Sequence, residues 1–355
     1  RREQMQSPSV VYPAIGPSDV CRIDRLRPGH PRSRELEGKE VQSDYTFARR
    51  SLGRAAKLDL WNGLCPPGRE LRDIFPDLNE LSKSGPEALR GKLAVLRFDG
   101  NDFGSIGRDC VTPELLREFS QTVREQQQQF FRRLLESDEW WDAGRPRLEI
   151  TVYGGDEVSF ITPAWLGWKA LRLFFDEARH WRLPGLDRQL GYAAGLVFCH
   201  SNSPIHAIKA LASELADTAK DLGKKHSPEK QKQNWVAYQV MESFDDIGRE
   251  LAGYLQEKFA HSSTEHLCFG IDAIGALEEE AGHLRAVVAK RQLHRGVEQL
   301  LAGGTIDASK LIDARGGNKA RVLETIHRLR GLLGDLAFVH LLELWDYLAP
   351  EEDEA

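Results

Sequence analysis

Residues 154–157 read Gly-Gly-Asp-Glu and place two adjacent carboxylates, Asp156 and Glu157, directly after two glycines. The strand-favouring runs on either side, residues 147–153 and 157–162, predict a β-hairpin with both acids at its tip. Adjacent carboxylates on a tight turn repel each other unless a cation lies between them, and glycines let a large polyanion approach the backbone. Taken alone, the motif is equally compatible with a solvated acidic turn.

A third carboxylate, Asp99, ends an apolar run that begins at Lys92, and the turn-forming sequence Gly-Asn-Asp-Phe-Gly follows at 100–104. Mg²⁺ prefers carboxylate, carbonyl and water oxygens, and it keeps its remaining positions for substrate phosphates. If Asp99 lies on a strand next to the hairpin tip, it can join Asp156 and Glu157 in holding two ions about 4 Å apart, as in-line phosphoryl transfer requires. Because like charges crowd this tip, the pattern also predicts that replacing any of these acids slightly stabilises the metal-free protein.

Two lysines close a predicted amphipathic helix at residues 204–223. Lys220 and Lys224 are four residues apart and share a helix face, where they could contact a triphosphate. Cations at the end of a helix also simply complement its dipole, and spacing alone favours that simpler interpretation.

In this order, the three segments resemble the Palm-type nucleotide cyclases. These include the GGDEF diguanylate cyclases and, more closely, the large polymerase-like subunit of type III CRISPR effector complexes. Residues 98–104 resemble the family's first metal-binding loop, residues 154–157 its Gly-Gly-Asp-Asp or Gly-Gly-Asp-Glu signature, and residues 219–224 the helix that holds the γ-phosphate. The run from His200 to Ala210, which leads into that helix, favours the CRISPR branch.

The resemblance covers about residues 91–242 and implies a Mg²⁺- or Mn²⁺-dependent nucleotidyltransferase that uses ATP as substrate. It implies that Asp99, Asp156 and Glu157 are catalytic and bind the metal, with Gly100 as a further metal ligand. The nucleotide-binding residues that it implies are Asn101, Asp102, Phe103, Gly104, Gly154, Gly155, Lys220 and Lys224. The implied product is a cyclic oligoadenylate that serves as an antiviral second messenger.

Two other functions stay open at this point. The same chemistry could yield a cyclic dinucleotide or a cyclic mononucleotide, and the chain could instead be a catalytically silent Palm scaffold in an RNA-guided complex. Ring formation needs a donor and an acceptor, yet the sequence contains one acid-turn segment and one Gly-Gly-Asp-Glu hairpin. We therefore expect a homodimer or a complex with a second Palm-containing chain, with RNA-guided effector subunits and RNA as further partners that the resemblance allows.

Composition narrows the class of protein. With a formal net charge of −6, the chain is not basic overall, in contrast to proteins that bind free nucleic acid. Five cysteines occur singly, which favours a reducing cytoplasm and argues against a disulfide framework or a zinc cluster, so no zinc is expected. No apolar run approaches the ~20 residues of a membrane span, so no membrane partner is expected.

The patterns predict an α+β protein in three parts. Residues 91–242 should form a ferredoxin-like βαββαβ Palm domain, in which an antiparallel sheet has helices on one face. Residues 1–90 read as an Arg/Pro-rich segment with short helices, in which residues 20–28 resemble a metal-free remnant of a ribbon-like zinc insert. Residues 243–355 predict a helical docking domain. Its predicted helices span 244–261, 284–302, 317–333 and 335–348.

Overall fold

The computed structural model describes residues 20–29, 41–226, 234–241, 267–304, 311 and 319–348. The chain divides into two compact units, Arg1–Cys65 and Pro66–Ala355. Among the described residues, no helix combines the length and the apolar character needed to cross a membrane. The predicted helix at 244–261 lies outside the described residues.

The first unit contains helix α1 (Asp44–Leu64) and a tight turn closed by a bridge between Val20 and Pro28. The Asp24 carboxylate organises this turn. It accepts hydrogen bonds from the amides of Leu26 and Arg27 at 3.0 Å and from the hydroxyls of Ser43 at 2.9 Å and Thr46 at 3.1 Å. Burial would raise the pKa of Asp24, but these hydrogen bonds hold it well below its usual range. The turn that resembles a zinc insert is therefore held by a hydrogen-bonded carboxylate.

The second unit is built on a six-stranded sheet with the order β6-β5-β4-β1-β3-β2, in which β5 runs parallel to β4 and the other neighbours are antiparallel. Its strands are β1 (Lys92–Gly100), β2 (Glu149–Gly154), β3 (Glu157–Pro163), β4 (Tyr192–His200), β5 (Trp235–Val240) and β6 (Cys268–Gly270). Its helices are α2 (Leu78–Ser82), α3 (Phe103–Asp109), α4 (Pro113–Leu135), α5 (Ala164–Ala178), α6 (Ile205–His226), α7 (Asp272–Arg285), α8 (Lys290–Leu301), α9 (Lys319–Leu333) and α10 (Ala337–Glu343).

Helices cover both faces of this sheet. On one face, Phe98 of β1 stacks on Phe174 of α5 with ring centroids 3.6 Å apart, and Phe130 of α4 packs against Phe174 at 5.0 Å. On the other face, β4 approaches α6 so closely that a Cβ on Gly195 would lie 1.9 Å from the carbonyl oxygen of Ala212. The predicted α+β fold with a ferredoxin-like βαββαβ core is confirmed. Helices cover both faces of the sheet and not one as predicted, because the β4-α6-β5 crossover adds a parallel strand and places α6 on the second face.

Local sequence signals explain where the long helices begin. Thr112 accepts a hydrogen bond from the amide of Leu115 at 3.3 Å, and Pro113 occupies the first turn of α4, where it needs no hydrogen-bond partner for its nitrogen. The sequence patterns do not resolve two other features. The predicted helix at 284–302 is broken at Ala289, whose backbone is extended, and strand β6 is too short to show alternation.

Helices α7 and α9 are joined by a polar network around Glu280, a carboxylate that is only 4% exposed. Arg328 donates to Glu280 Oε1 at 2.8 Å, and His283 Nδ1 lies 3.3 Å from Oε2. Burial would raise the pKa of Glu280, but hydrogen bonds from Thr325, His283 and Arg328, together with the charge of Arg328, lower it. The ionised form of Glu280 therefore stabilises the folded state.

This network predicts a pH-dependent difference between wild type and Glu280→Gln. Because the pKa of Glu280 is lower in the folded than in the unfolded state, its ionisation adds to the free energy of unfolding at pH values above the unfolded-state pKa of about 4.3. This contribution is lost as the pH falls through the folded-state pKa. The thermal midpoint of wild type should exceed that of Glu280→Gln at pH 7, and the gap should close below about pH 4. Parallel midpoints from pH 7 to pH 3 would show that the carboxylate charge adds nothing.

Candidate functional site

Strand register brings the first acid to the hairpin tip. Asp99 of β1 lies directly opposite Glu157 of β3, and Glu157 in turn pairs with Gly154 of β2. Gly155 and Asp156 form the two-residue turn between them, with Gly155 at a φ of +61° that favours glycine. The amide of Gly100 donates to the carbonyl of Asp156 at 2.8 Å and ties the tip to β1. The three predicted acids therefore lie at one end of the sheet.

Lys220 reaches Asp99 from helix α6. Its ammonium contacts the Asp99 carboxylate and donates to the carbonyl oxygen of Gly100 at 2.8 Å. Both side chains are mostly buried, with exposed fractions of 21% for Lys220 and 16% for Asp99. The structure thus places one cation on the same two residues, Asp99 and Gly100, that the family resemblance implies as metal ligands.

Arg97 provides a second cation on the same face of β1. Residues two apart on a strand face the same side, and the Arg97 guanidinium contacts Glu157 at 2.5 Å. Sequence reasoning missed Arg97, although its position two residues before Asp99 was a usable signal. Two cations therefore balance two of the three acids.

This balance corrects the expectation that the acids crowd one another without compensation. Like charges directly opposite on neighbouring strands are destabilising, but Lys220 neutralises Asp99 and Arg97 neutralises Glu157. Removing Asp99 leaves a largely buried lysine without its carboxylate. The metal-free protein should therefore be destabilised, not stabilised, by replacing Asp99 with alanine.

Gln127 of helix α4 supports the hairpin from the opposite face. Its side chain is fully buried, and its amide donates to the carbonyl oxygen of Gly155 at 2.9 Å. Tyr192, at the start of β4, is also fully buried. Burial raises the pKa of Tyr192, contact with Gln127 offsets part of this rise, and the negative charges of Asp156 and Asp99 add to it.

The contact between Gln127 and Gly155 predicts a strong effect for Gln127→Glu. The introduced carboxylate would face a carbonyl oxygen and lie near Asp156, so its pKa should rise above the unfolded value of about 4.3. The variant should match wild type near pH 4 and lose about 1–3 kcal/mol of unfolding free energy at pH 7, because a buried charge is costly without a partner.

Urea unfolding at pH 4.5, 6 and 7.5 measures this loss. Gln129→Glu is the matched control, because Gln129 lies on the same helix and is exposed. Equal changes in the free energy of unfolding of both variants at every pH would contradict a stabilising contribution from the buried contact.

The first predicted loop leaves β1 and enters α3. The amide of Asn101 donates to Gly191 at 2.8 Å, and Asp102 adopts a left-handed conformation with φ of +60° at the start of α3. The Phe103 ring is buried against Phe119 and Tyr192, with centroids 5.4 Å away in each case. The structure therefore assigns the Phe103 ring to the core, so that a nucleotide could contact only its backbone.

Space around the glycines of this region differs. A Cβ on Gly100 would lie 2.4 Å from the Phe103 ring, whereas Gly104, Gly154 and Gly155 have no atom within 4 Å of that position. Lys224 lies one turn beyond Lys220, is half exposed, and has its ammonium 4.0 Å from Asp221. Open space above the hairpin glycines is compatible with the close approach of a polyphosphate.

The donor atoms fit a hard cation in their chemistry. Asp99 supplies a carboxylate oxygen and Gly100 a carbonyl oxygen, which are ligands that a hard metal ion prefers. Both oxygens accept from the Lys220 ammonium, which lies where a metal ion would bind. Within the described ranges, no group of three or more His, Cys, Asp or Glu side chains is placed to hold a metal ion.

Comparison with known proteins finds one family model that matches part of this chain. Residues 92–228 match the model of Cas10/Cmr2, second palm domain. No curated protein matches the sequence.

Solved structures of Csm1 resemble the chain at low identity. The Csm1-Csm4 cassette in complex with pppApApA is 17% identical with a TM-score of 0.43, and the match covers 77% of this chain and 39% of that chain. Csm1 from T.onnurineus is 14% identical with a TM-score of 0.42, and the match covers 80% of this chain and 41% of that chain. Each match therefore spans about two fifths of the length of the Csm1 chain concerned.

Proposed function

We propose that residues 92–228, a palm domain of the Cas10/Cmr2 second-palm family, form a metal-dependent nucleotidyltransferase that converts ATP to a cyclic oligoadenylate in CRISPR-type antiviral defence. The observation that carries this proposal is the convergence of the Asp99 carboxylate and the Gly100 carbonyl on one cation position beside an open Gly-Gly turn. Such a position next to space for a polyphosphate is what phosphoryl transfer requires.

The residues have separate roles in this proposal. Asp99, Gly100, Asp156 and Glu157 would hold Mg²⁺ or Mn²⁺. The bound ion would activate the attacking 3′-hydroxyl and stabilise charge on the α-phosphate and the leaving pyrophosphate.

Substrate binding falls to the surrounding backbone and to helix α6. Gly154 and Gly155 leave the turn open to the phosphates, and Lys220 and Lys224 would hold the β- and γ-phosphates. The loop from Asn101 to Gly104 would contact the nucleotide through its backbone and polar side chains, since the ring of Phe103 is packed inside.

Ring formation adds a requirement for a second site. One donor nucleotide on this palm needs an acceptor 3′-hydroxyl held opposite it, and the matched family is described as a second palm domain. A paired palm, from a second copy of the chain or from another chain, would supply the acceptor. RNA-guided effector subunits and target RNA would then act as assembly partners and trigger.

A catalytically silent palm scaffold is the competing function, and one observation favours it. Arg97 and Lys220 neutralise two of the three acids, so this conformation does not present three free carboxylates to metal. A cyclic dinucleotide or mononucleotide product remains a variant of the enzymatic proposal.

Incubation with α-labelled ATP and Mg²⁺ or Mn²⁺, with and without effector subunits and target RNA, separates these functions. The cyclase proposal expects pyrophosphate release and a labelled cyclic product whose size distinguishes oligoadenylate from smaller rings. The variant with both Asp156→Asn and Glu157→Gln is the control and should make none. Intact ATP under every condition would favour the scaffold.

A further inference from the structure

Lys220 occupies the position that the proposed metal would need. Its ammonium is held by Asp99 and by the carbonyl oxygen of Gly100, and 79% of the lysine side chain is shielded from solvent. An ammonium and a divalent ion cannot share the same two oxygens, because the cations repel each other at contact distance. Binding of a metal ion to this pair of oxygens, Asp99 Oδ2 and the Gly100 carbonyl, therefore requires Lys220 to leave.

The helix that carries Lys220 cannot easily move with it. The backbone of α6 packs directly on Gly195 of β4 at Ala212 and Ala216, with no space for even a methyl group between them. The lysine side chain, in contrast, has a flexible four-carbon stem with a compact charge at its end. Release of Asp99 is therefore a side-chain movement on a fixed helix.

We propose that Lys220 closes the metal position of the nucleotide-free protein and moves to the polyphosphate when a metal–nucleotide complex binds. This inference rests on the proposed function, because it concerns the same metal and the same nucleotide. A metal ion that binds without nucleotide must displace the Lys220 ammonium and leaves that ammonium without an anionic partner. Metal together with a triphosphate supplies that partner, so the two ligands bind cooperatively.

The neighbouring lysines do not share this property. Lys224 is half exposed, with its ammonium 4.0 Å from Asp221, and Lys225 is exposed on the last turn of the same helix. The contact of Lys224 with Asp221 involves no atom that the proposal assigns to the metal. The coupling should therefore depend on position 220 and not on the general positive charge of the helix end.

Mn²⁺ titration followed by electron paramagnetic resonance tests the proposal without catalysis. Lys220→Met should bind Mn²⁺ alone roughly 10-fold more tightly than wild type, a usual size for coupling between ligands. Addition of α,β-methylene-ATP should raise the Mn²⁺ affinity of wild type by a similar factor and that of Lys220→Met by much less.

Three matched variants make the result specific. Lys225→Met should behave as wild type, and Lys220→Arg should keep weak binding of Mn²⁺ alone because it retains a cation at Asp99. The double variant of Lys220→Met and Asp99→Ala should lose the tight site. Thermal melts of each variant establish that it is folded before titration, and Lys220→Arg tests the charge if Lys220→Met does not fold.

The outcomes separate this inference from the proposed function. If wild type binds Mn²⁺ with the nucleotide but Lys220→Met shows unchanged or weaker affinity for Mn²⁺ alone, the inference is wrong and the proposed function stands. If neither protein binds Mn²⁺ with or without the nucleotide, both are wrong.

Discussion

Replacing Asp99 with alanine is expected to lower the proposed formation of product from ATP by roughly 10²–10³-fold or more, since a catalytic ion at this acid would stabilise the transition state by several kcal/mol. The Asp99 carboxylate and the Gly100 carbonyl converge on the Lys220 ammonium, and Asp99 lies opposite Glu157 of the neighbouring strand. The measurement is the rate of pyrophosphate release under saturating ATP and Mg²⁺.

The same substitution should also weaken the metal-free fold. Asp99 and Lys220 form a largely buried pair, and removing one partner of a charged hydrogen bond costs about 1–3 kcal/mol when the other stays buried. Denaturant unfolding in the presence of a chelator measures this cost. Unfolding of Asp99→Ala at the same denaturant concentration as wild type would contradict a stabilising role for the pair.

Loss of activity and loss of stability can be separated by a second change. The double variant of Asp99→Ala and Lys220→Met removes both charges, so it should recover most of the lost stability because no unpaired charge remains buried. It should recover none of the activity. Return of product formation in the double variant would mean that Asp99 acts only by holding the fold.

The hairpin and the acid at the end of β1 could be predicted because their signals are local. A Gly-Gly pair between two strand-favouring runs specifies a tight turn, and the apolar pattern of β1 fixes which residues face the core. Once both segments are strands of one sheet, register brings Asp99 opposite Glu157. The roles of these residues in binding metal and nucleotide stay predictions.

The cation contacts could not be predicted from local pattern. Lys220 and Asp99 are separated by 121 positions, and their contact depends on α6 lying across the second face of the sheet. Gln127 likewise reaches Gly155 only because α4 packs under the hairpin. Helical spacing reports which residues share a face, but not which strand that face covers. The short strand β6 was missed for a related reason, since its partner β5 defines it.

Gly195→Ala is expected to destabilise the fold more than a methyl group added at any other described glycine. The new Cβ would lie 1.9 Å from the carbonyl oxygen of Ala212 and 2.8 Å from the amide nitrogen of Ala216. Both are backbone atoms of α6, so no rotamer change relieves the overlap and the helix must shift from the sheet. Overpacking of this kind costs about 3 kcal/mol or more, which corresponds to a fall of roughly 6–12 °C in thermal midpoint.

Gly282→Ala is the matched control for this prediction. Gly282 is exposed inside helix α7, and a Cβ there meets no atom within 4 Å. Alanine should therefore stabilise the helix by about 0.5–1 kcal/mol. Thermal midpoints of the two variants should move in opposite directions from wild type, and a Gly195→Ala midpoint within 1 °C of wild type, on the order of a few tenths of a kcal/mol, would contradict the close packing.

The same variant also connects the fold to the site. Helix α6 carries Lys220, and β4 is paired with β1 at Ala193 and Asp99, so a helix that moves away from Gly195 draws the lysine from its carboxylate. Folded Gly195→Ala protein should then bind Mn²⁺ alone more tightly than wild type, as expected for Lys220→Met, although neither charged residue has changed. A lower midpoint with unchanged Mn²⁺ affinity would show that the lysine stem absorbs the shift of the helix and keeps its contact with Asp99.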